Sequence, residues 1–337
     1  MVWDRRSVVL TALGAAVVVA LAAGGIAYAM RHGTTGKLAS APKPAPTQSR
    51  PPPPGPLLSP FTGEPVHRLK RVLIVKIGNT VPERPATGLA KADIVYLIPV
   101  EGGLSRIMAV FSSHYPPVIG PVRSARQDDL QLLRQFGRPA FAWSGAQPQL
   151  VPVVEHSRIV DLYAATAAGY FRTVDRVEPY NLYADTRTLL KQAPHASVAR
   201  NIGFRFGPPP PGGKVTRSAS VSYPAASFGF TWSAAKGRWL VSMDGVPAVT
   251  TDGGRLSPAT VVIQHTTVRT SRFLEYGKPP PYAESVGSGT ALVLRDGKAW
   301  TTHWSRPNTN GGTTFTTAPG QRMTFTPGQV WVVLAYR

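Results

Sequence analysis

Residues 93–111 read Asp93-Ile94-Val95-Tyr96-Leu97-Ile98-Pro99-Val100-Glu101-Gly102-Gly103-Leu104-Ser105-Arg106-Ile107-Met108-Ala109-Val110-Phe111. Two apolar runs, Asp93–Val100 and Arg106–Phe111, meet at a Glu-Gly-Gly turn. Short continuous apolar runs bounded by glycine mark buried strands. Upstream, Arg71–Ile77 (RVLIVKI) reads the same way, and Gly88–Ala92 is a turn or short helical piece. Downstream, Ser124–Phe136 has helical spacing, with Leu130, Leu133 and Phe136 on one face. Phe141–Trp143 is a short strand. Ala146–His156 reads as a helix weakened by Pro148 and Pro152. Asp185 caps a helix over Thr186–Ala193. Strands interleaved with helices predict an α/β N-terminal domain over residues 61–207.

Pro208–Pro211 with Gly212 and Gly213 marks a linker, residues 208–219. Beyond it, strand candidates recur at Phe228–Trp232, Arg238–Met243, Thr260–His265, Thr290–Leu294, Ala299–Trp304 and Gln329–Tyr336. Asp296-Gly297 is a strong hairpin signal, and Asp244-Gly245 and Asp252-Gly253 add turns. This pattern predicts a β-rich C-terminal domain over residues 220–337, a small barrel or sandwich.

Arg5 and Arg6 precede an uncharged run from Ser7 to Met30, rich in Val, Leu and Ala. About 20 apolar residues cross a bilayer core as a helix, so residues 1–32 are expected to hold a transmembrane helix. Two readings remain open. The segment is an uncleaved signal anchor with a cytoplasmic N-terminus, or a signal peptide cut near Ala27-Tyr28-Ala29. The length of the run favours the anchor, and the charges Arg31 and Lys37 weaken the asymmetry that sets orientation. Either way the body is extracytoplasmic. Residues 33–60, with Pro42, Pro44, Pro46 and Pro51–Pro54, form an extended spacer.

The chain has 337 residues and no cysteine, which excludes disulfides, thiolate metal sites and a lipid-bearing N-terminal Cys. Net charge is +20, and residues 1–70, with eight Lys/Arg against two Asp/Glu, account for +6 of it. The body is thus strongly basic, which favours polyanionic partners such as lipid headgroups and wall polymers. A generally basic proteome would produce the same balance. No nucleic-acid motif accompanies the charge.

The densest polar grouping comprises Glu101, Gly102, Gly103, Arg106, Arg123, Ser124 and Arg126. Arg123 and Arg126 straddle the start of the expected helix, with Ser124 as its N-cap. A helix N-terminus with two guanidinium forks makes an anion site, and strand ends are where open α/β sheets bind ligands. The competing reading pairs these arginines with Glu101, Asp128 and Asp129 in a structural network. Asp128-Asp129 otherwise reads as a solvated helix face. Glu155-His156 and Asp175 lack metal-ligand spacing, so neither metal nor cofactor is expected. A triad of Ser124 with His114, His156 or His195 lacks the G-x-S-x-G elbow. Phe171–Tyr183 is a loop over a site or a packing segment.

From about Ser59 onward the chain resembles the YerB-like family of bacterial envelope lipoproteins. The likeness rests on Pro60-Phe61-Thr62-Gly63, on Arg84–Leu89 leading into Ala92–Tyr96, and on Val100–Arg106 and Ile119–Arg126. Pro179-Tyr180-Asn181-Leu182-Tyr183, Val261–Gln264, Gly287-Ser288-Gly289 and Thr326–Trp331 extend it. The resemblance implies an α/β domain followed by a β-rich domain, and no activity. Asn181 enters the set of supporting polar residues with this motif. Two departures stand out. The lipid-bearing Cys is absent, and Tyr180 stands where the family usually places His in Pro-His-Asn. If that His is an essential base, this chain lacks it.

Three functions follow from these readings. The first is a noncatalytic envelope protein binding an anionic wall polymer or lipid headgroup through Arg106, Arg123 and Arg126. The second is an enzyme faintly similar in layout to LytR-CpsA-Psr transferases. The third is a scaffold for a membrane complex.

Overall fold

The computed structural model describes residues 55–275 and 277–337, and residues 55–337 form one compact unit. The apolar run Ser7–Met30 and most of the spacer lie outside the described residues. Among the described residues no helix is long and apolar enough to cross a membrane. The folded chain already includes Ser59, which is buried and donates its amide to Glu64 O at 2.8 Å.

Thirteen strands form the main sheet and the layer over it. They are β1 (Leu73–Gly78), β2 (Ile94–Pro99), β3 (Ser105–Phe111), β4 (Ala140–Trp143), β5 (Val160–Tyr163), β6 (Ser218–Tyr223), β7 (Ala226–Ser233), β8 (Arg238–Met243), β9 (Thr260–Thr266), β10 (Gly287–Arg295), β11 (Lys298–Arg306), β12 (Thr314–Thr317) and β13 (Val330–Tyr336). The helices are α1 (Gln127–Arg134), α2 (Val151–Glu155) and α3 (Thr186–Gln192). One mixed sheet runs β12-β11-β10-β9-β13-β2-β3-β1-β4-β5.

Alternation along each strand supplies two cores. Val95, Leu97, Ile107, Ala109, Trp331 and Val333 face one way. The antiparallel meander β6-β7-β8 covers them with Phe228, Phe230, Trp239 and Val241. Phe230 meets Trp331 edge to face at 6.3 Å. Ile94, Tyr96, Met108, Val110, Val332 and Leu334 face the other way, against Leu132, Leu133 and Phe136. Strands covered on both faces read as unbroken apolar runs, which is why β1, β2, β9 and β13 were visible in sequence.

The C-terminal half is β-rich, but it does not close into a barrel or sandwich of its own. Strand β13, buried from Val330 to Ala335, needs a neighbour on each edge, and it pairs parallel with β2 on one side and β9 on the other. Strands β9 to β13 therefore extend the sheet begun by β1 to β5, and the meander forms a separate layer over it. The stretch Pro208–Gly213 is strapped to this sheet, with Trp300 Nε1 donating to Pro210 O and Pro211 O at 3.2 Å. Asp296 and Gly297 turn the β10–β11 hairpin with φ of 50° and 69°.

Helix α1 starts later than expected. Arg126 is its N-cap and donates its amide to Asp129 Oδ2 at 2.7 Å. Ser124 therefore caps nothing. Asp128 and Asp129 are not a solvated face, for both are buried. Asp129 Oδ1 meets Lys76 Nζ at 2.7 Å, with both side chains fully inaccessible. Asp128 Oδ1 accepts from Ala283 N at 2.5 Å. Asp185 caps α3, accepting from Thr188 N at 2.7 Å.

Candidate functional site

Strand β1 ends at Gly78, and the chain then turns through Asn79 and Thr80. Glu83 folds back under this turn. Thr80 N and Thr80 Oγ1 donate to Glu83 Oε2 at 2.6 and 2.7 Å. A Cβ on Gly78 would lie 2.3 Å from Glu83 Cδ, so glycine is what lets the carboxylate in. Glu83 is fully buried.

The segment Gly120–Ala125 runs alongside. Arg123 N donates to Lys76 O at 2.9 Å, Ser144 N to Arg123 O at 3.1 Å, and Ala125 N to Gly145 O at 2.7 Å. These bonds fix the backbone between two arginines. Arg123 Nε lies 2.8 Å from Glu83 Oε1, without the alignment of a hydrogen bond. Arg106, at the start of β3, approaches Glu83 Oε2 at 3.9 Å. Arg126 grips Glu101 with two nitrogens, its Nε at 2.8 Å, and reaches Glu275 Oε1 at 3.5 Å.

Arg106, Arg123, Ser124 and Arg126 line a single cleft of about 390 Å³, with Glu101. Arg172, inside the stretch Phe171–Tyr183, and Glu275 line it too, and neither was among the expected anion-site residues. Four guanidinium groups thus face two lining carboxylates, with Glu83 beneath. Arg106 is 95% buried by its 5% exposure, and its Nε has no hydrogen-bond partner. A buried charged donor without a partner is costly. Burial pushes the Arg106 pKa down, and the charges of Arg123 and Arg126 push it the same way, against Glu83. Burial raises the Glu101 carboxyl, but the Arg126 hydrogen bonds and charge outweigh it and hold the group below its ordinary value.

The loop between Tyr170–Arg172 and Leu182–Asp185, two paired short strands, covers one side of the cleft. Asn181 Oδ1 accepts from Arg172 Nη1 at 2.9 Å, and Asn181 Nδ2 donates to Thr173 O at 2.8 Å. Asn181 therefore orients an arginine and does not line the cleft. Tyr180 lies with its ring 5.5 Å from the Arg123 guanidinium carbon, a cation–π distance. Arg176 ties the loop down, donating to Glu83 O at 2.8 Å and Pro85 O at 2.7 Å. Gly102 and Gly103 turn the chain with positive φ. A Cβ on Gly103 would meet Pro224 Cβ at 2.6 Å, so this glycine admits the meander and not a ligand.

The pairing expected of a structural network is present only in part. Arg126 is engaged with Glu101, while Asp128 and Asp129 turn to Ala283 and Lys76. Arg106 keeps an unpaired donor. Glu83 had one local signal, the Thr80-x-x-Glu83 capping-box spacing. Arg172 lies in the Phe171–Tyr183 stretch and is carried by a short strand, while Glu275 had no local signal.

Residues 61–199 match the model of the N-terminal domain of a protein family of unknown function, DUF3048, and residues 219–332 match that of its C-terminal domain. The chain belongs to the DUF3048 family. A relative named "Putative lipoprotein YerB", from Bacillus subtilis (strain 168), is 27% identical over 288 residues. The alignment covers 78% of this chain and 80% of the relative. The crystal structure of YerB protein from Bacillus subtilis superposes with a TM-score of 0.72 at 22% identity. It covers 82% of this chain and 96% of that one. The two proteins therefore share a fold.

Proposed function

We propose that this DUF3048 member is a membrane-tethered extracytoplasmic protein whose arginine cleft binds an anionic envelope ligand. The apolar run Ser7–Met30 supports the tether, as does the lipoprotein name of the relative. The observation that carries the binding site is Arg106: a buried guanidinium at a concave surface, with an unpartnered Nε and two more arginines beside it. A phosphate or carboxylate oxygen in the cleft offsets the crowding of positive charge. Wall polymers and lipid headgroups both present such oxygens.

The unit Gly55–Arg337 contains both faces of its own core, so it suits binding experiments without the apolar run. Its sedimentation with purified wall material and with phosphatidylglycerol vesicles is expected to weaken with added salt. Arg123→Ala removes one charge-assisted partner, about 1.5–3 kcal/mol, and is expected to weaken binding about 10- to 100-fold. Binding unchanged in that variant rejects the site.

A further inference from the structure

A second cavity, also about 390 Å³, lies across the Asn79–Arg84 turn from the cleft. Its chemistry is the opposite. Leu89, Ile107, Met243 and Leu256, all buried, form the floor. Val81, Val246 and Val249 line it at 71%, 65% and 43% exposure, so the rim is apolar too. Exposed valines scattered singly need no explanation. Three around one apolar hollow of ligand-binding size do.

The polar atoms at its edge are already spent on one another. Asn79 Nδ2 donates to Ser105 Oγ at 2.8 Å, and Asn79 Oδ1 accepts from Arg84 Nε at 3.2 Å. Arg84 Nη2 donates to Asn79 O at 2.6 Å, and Arg84 Nη1 pairs with Asp244 Oδ2 at 2.7 Å. Asp244 Oδ1 accepts from Ser227 N at 2.7 Å. The backbone is committed as well, for Ala248 N donates to Val241 O and Leu256 N to Ala248 O. An entering peptide would bring amides and carbonyls that find no partner here, at a cost for each. A hydrocarbon chain brings none, and each methylene buried contributes about 0.8 kcal/mol.

We propose that this pocket takes the hydrocarbon chain of a membrane amphiphile. The nearness of the arginine cleft favours an anionic one, and only that choice of headgroup rests on the function proposed above. Arg106 lines the cleft and Ile107, the next residue, lines the pocket. The turn that carries Val81 and Arg84 into the pocket carries Glu83 under the cleft arginines. Headgroup and chain sites thus sit on either side of one turn.

The test uses the unit Gly55–Arg337 with decyl phosphate, decyl maltoside and inorganic phosphate, all below micelle formation, followed by calorimetry. Val81→Asp and Val249→Asp place a carboxylate on exposed positions, where folding is undisturbed. Both are expected to weaken the two decyl compounds at least about tenfold and leave inorganic phosphate unchanged. If decyl maltoside binds and responds to Val81→Asp while inorganic phosphate and Arg106→Met show nothing, the pocket stands and the anion cleft falls. If neither decyl compound binds, or if binding ignores both aspartates, the proposal is overturned and an apolar peptide segment becomes the occupant to seek.

Discussion

Arg106 and Ile107 are neighbours on one strand, yet they line two cavities of equal volume and opposite character. Strand alternation sends their side chains to opposite faces of the sheet. On the Arg106 side, position is held by charge: Glu83 under two arginines, Arg126 on Glu101, and Lys76 on Asp129. On the Ile107 side it is held by apolar packing against the meander. The difference teaches where each side is vulnerable. The charged side depends on partners being present in pairs, and the apolar side on volume being filled.

The largest effect is expected from breaking the deepest pair. Lys76→Met leaves Asp129 buried without its cation, which costs about 3–5 kcal/mol. Asp129 also holds the Arg126 amide, so the cleft loosens with the fold. The double variant Lys76→Met/Asp129→Leu is expected to recover most of the loss, because a buried ion pair exchanged for apolar groups of similar size is close to neutral. Urea unfolding of both variants measures this, and equal destabilisation of the two contradicts the pairing.

Next comes the apolar side. Ile107→Ala removes buried methyl groups from the pocket floor, at about 2–4 kcal/mol. Anion binding at the cleft is expected to survive it, since Ile107 touches none of the four guanidinium groups' cavity. Parallel measurement of stability and of wall-polymer binding separates the two cavities. A loss of both at once in folded protein means that the sheet end behaves as one site.

How much of this was legible in sequence follows from locality. Strands β1, β2, β9 and β13 announced themselves because burial on both faces leaves no polar alternation to hide them. The Arg123–Arg126 cluster was legible because its members are three residues apart. Glu83 and Arg172 reach the cleft only through tertiary contacts, and Glu83 is visible solely as half of a capping box. The fusion of both halves into one sheet depends on β13 pairing with β2, more than 200 residues away, and no local pattern encodes that. Asp128-Asp129 was misread because the cation that buries it, Lys76, sits on β1 within a run that otherwise reads as hydrophobic.

The smallest expected effect tests whether the buried charge beside the cleft costs the fold anything at rest. Burial raises the Asp128 carboxyl to about 7, and the charge of Asp129 adds to the rise, against the Ala283 amide and Lys76. A carboxyl raised from 3.8 binds its proton more tightly in the folded state than in the unfolded one. Stability therefore falls as pH climbs through the window from about 4 to about 7, and is highest for this group on the acid side. Burial raises Asp93 to about 6 in the same sense, although the Ser112 and Ser113 amides resist it. Asp128→Asn keeps the acceptor for Ala283 N and removes the titration. It is expected to raise Tm at pH 8 by about 2–4 °C, equivalent to about 1 kcal/mol, and to flatten the profile between pH 6 and 7, above the Asp93 window. Glu101, held below its ordinary value, contributes in the opposite sense at the acid end of that window. A variant that melts lower than the parent at pH 8 would show that the Asp128 charge is held by Lys76 at no net cost, and that the charged side of the sheet is as settled as the apolar one.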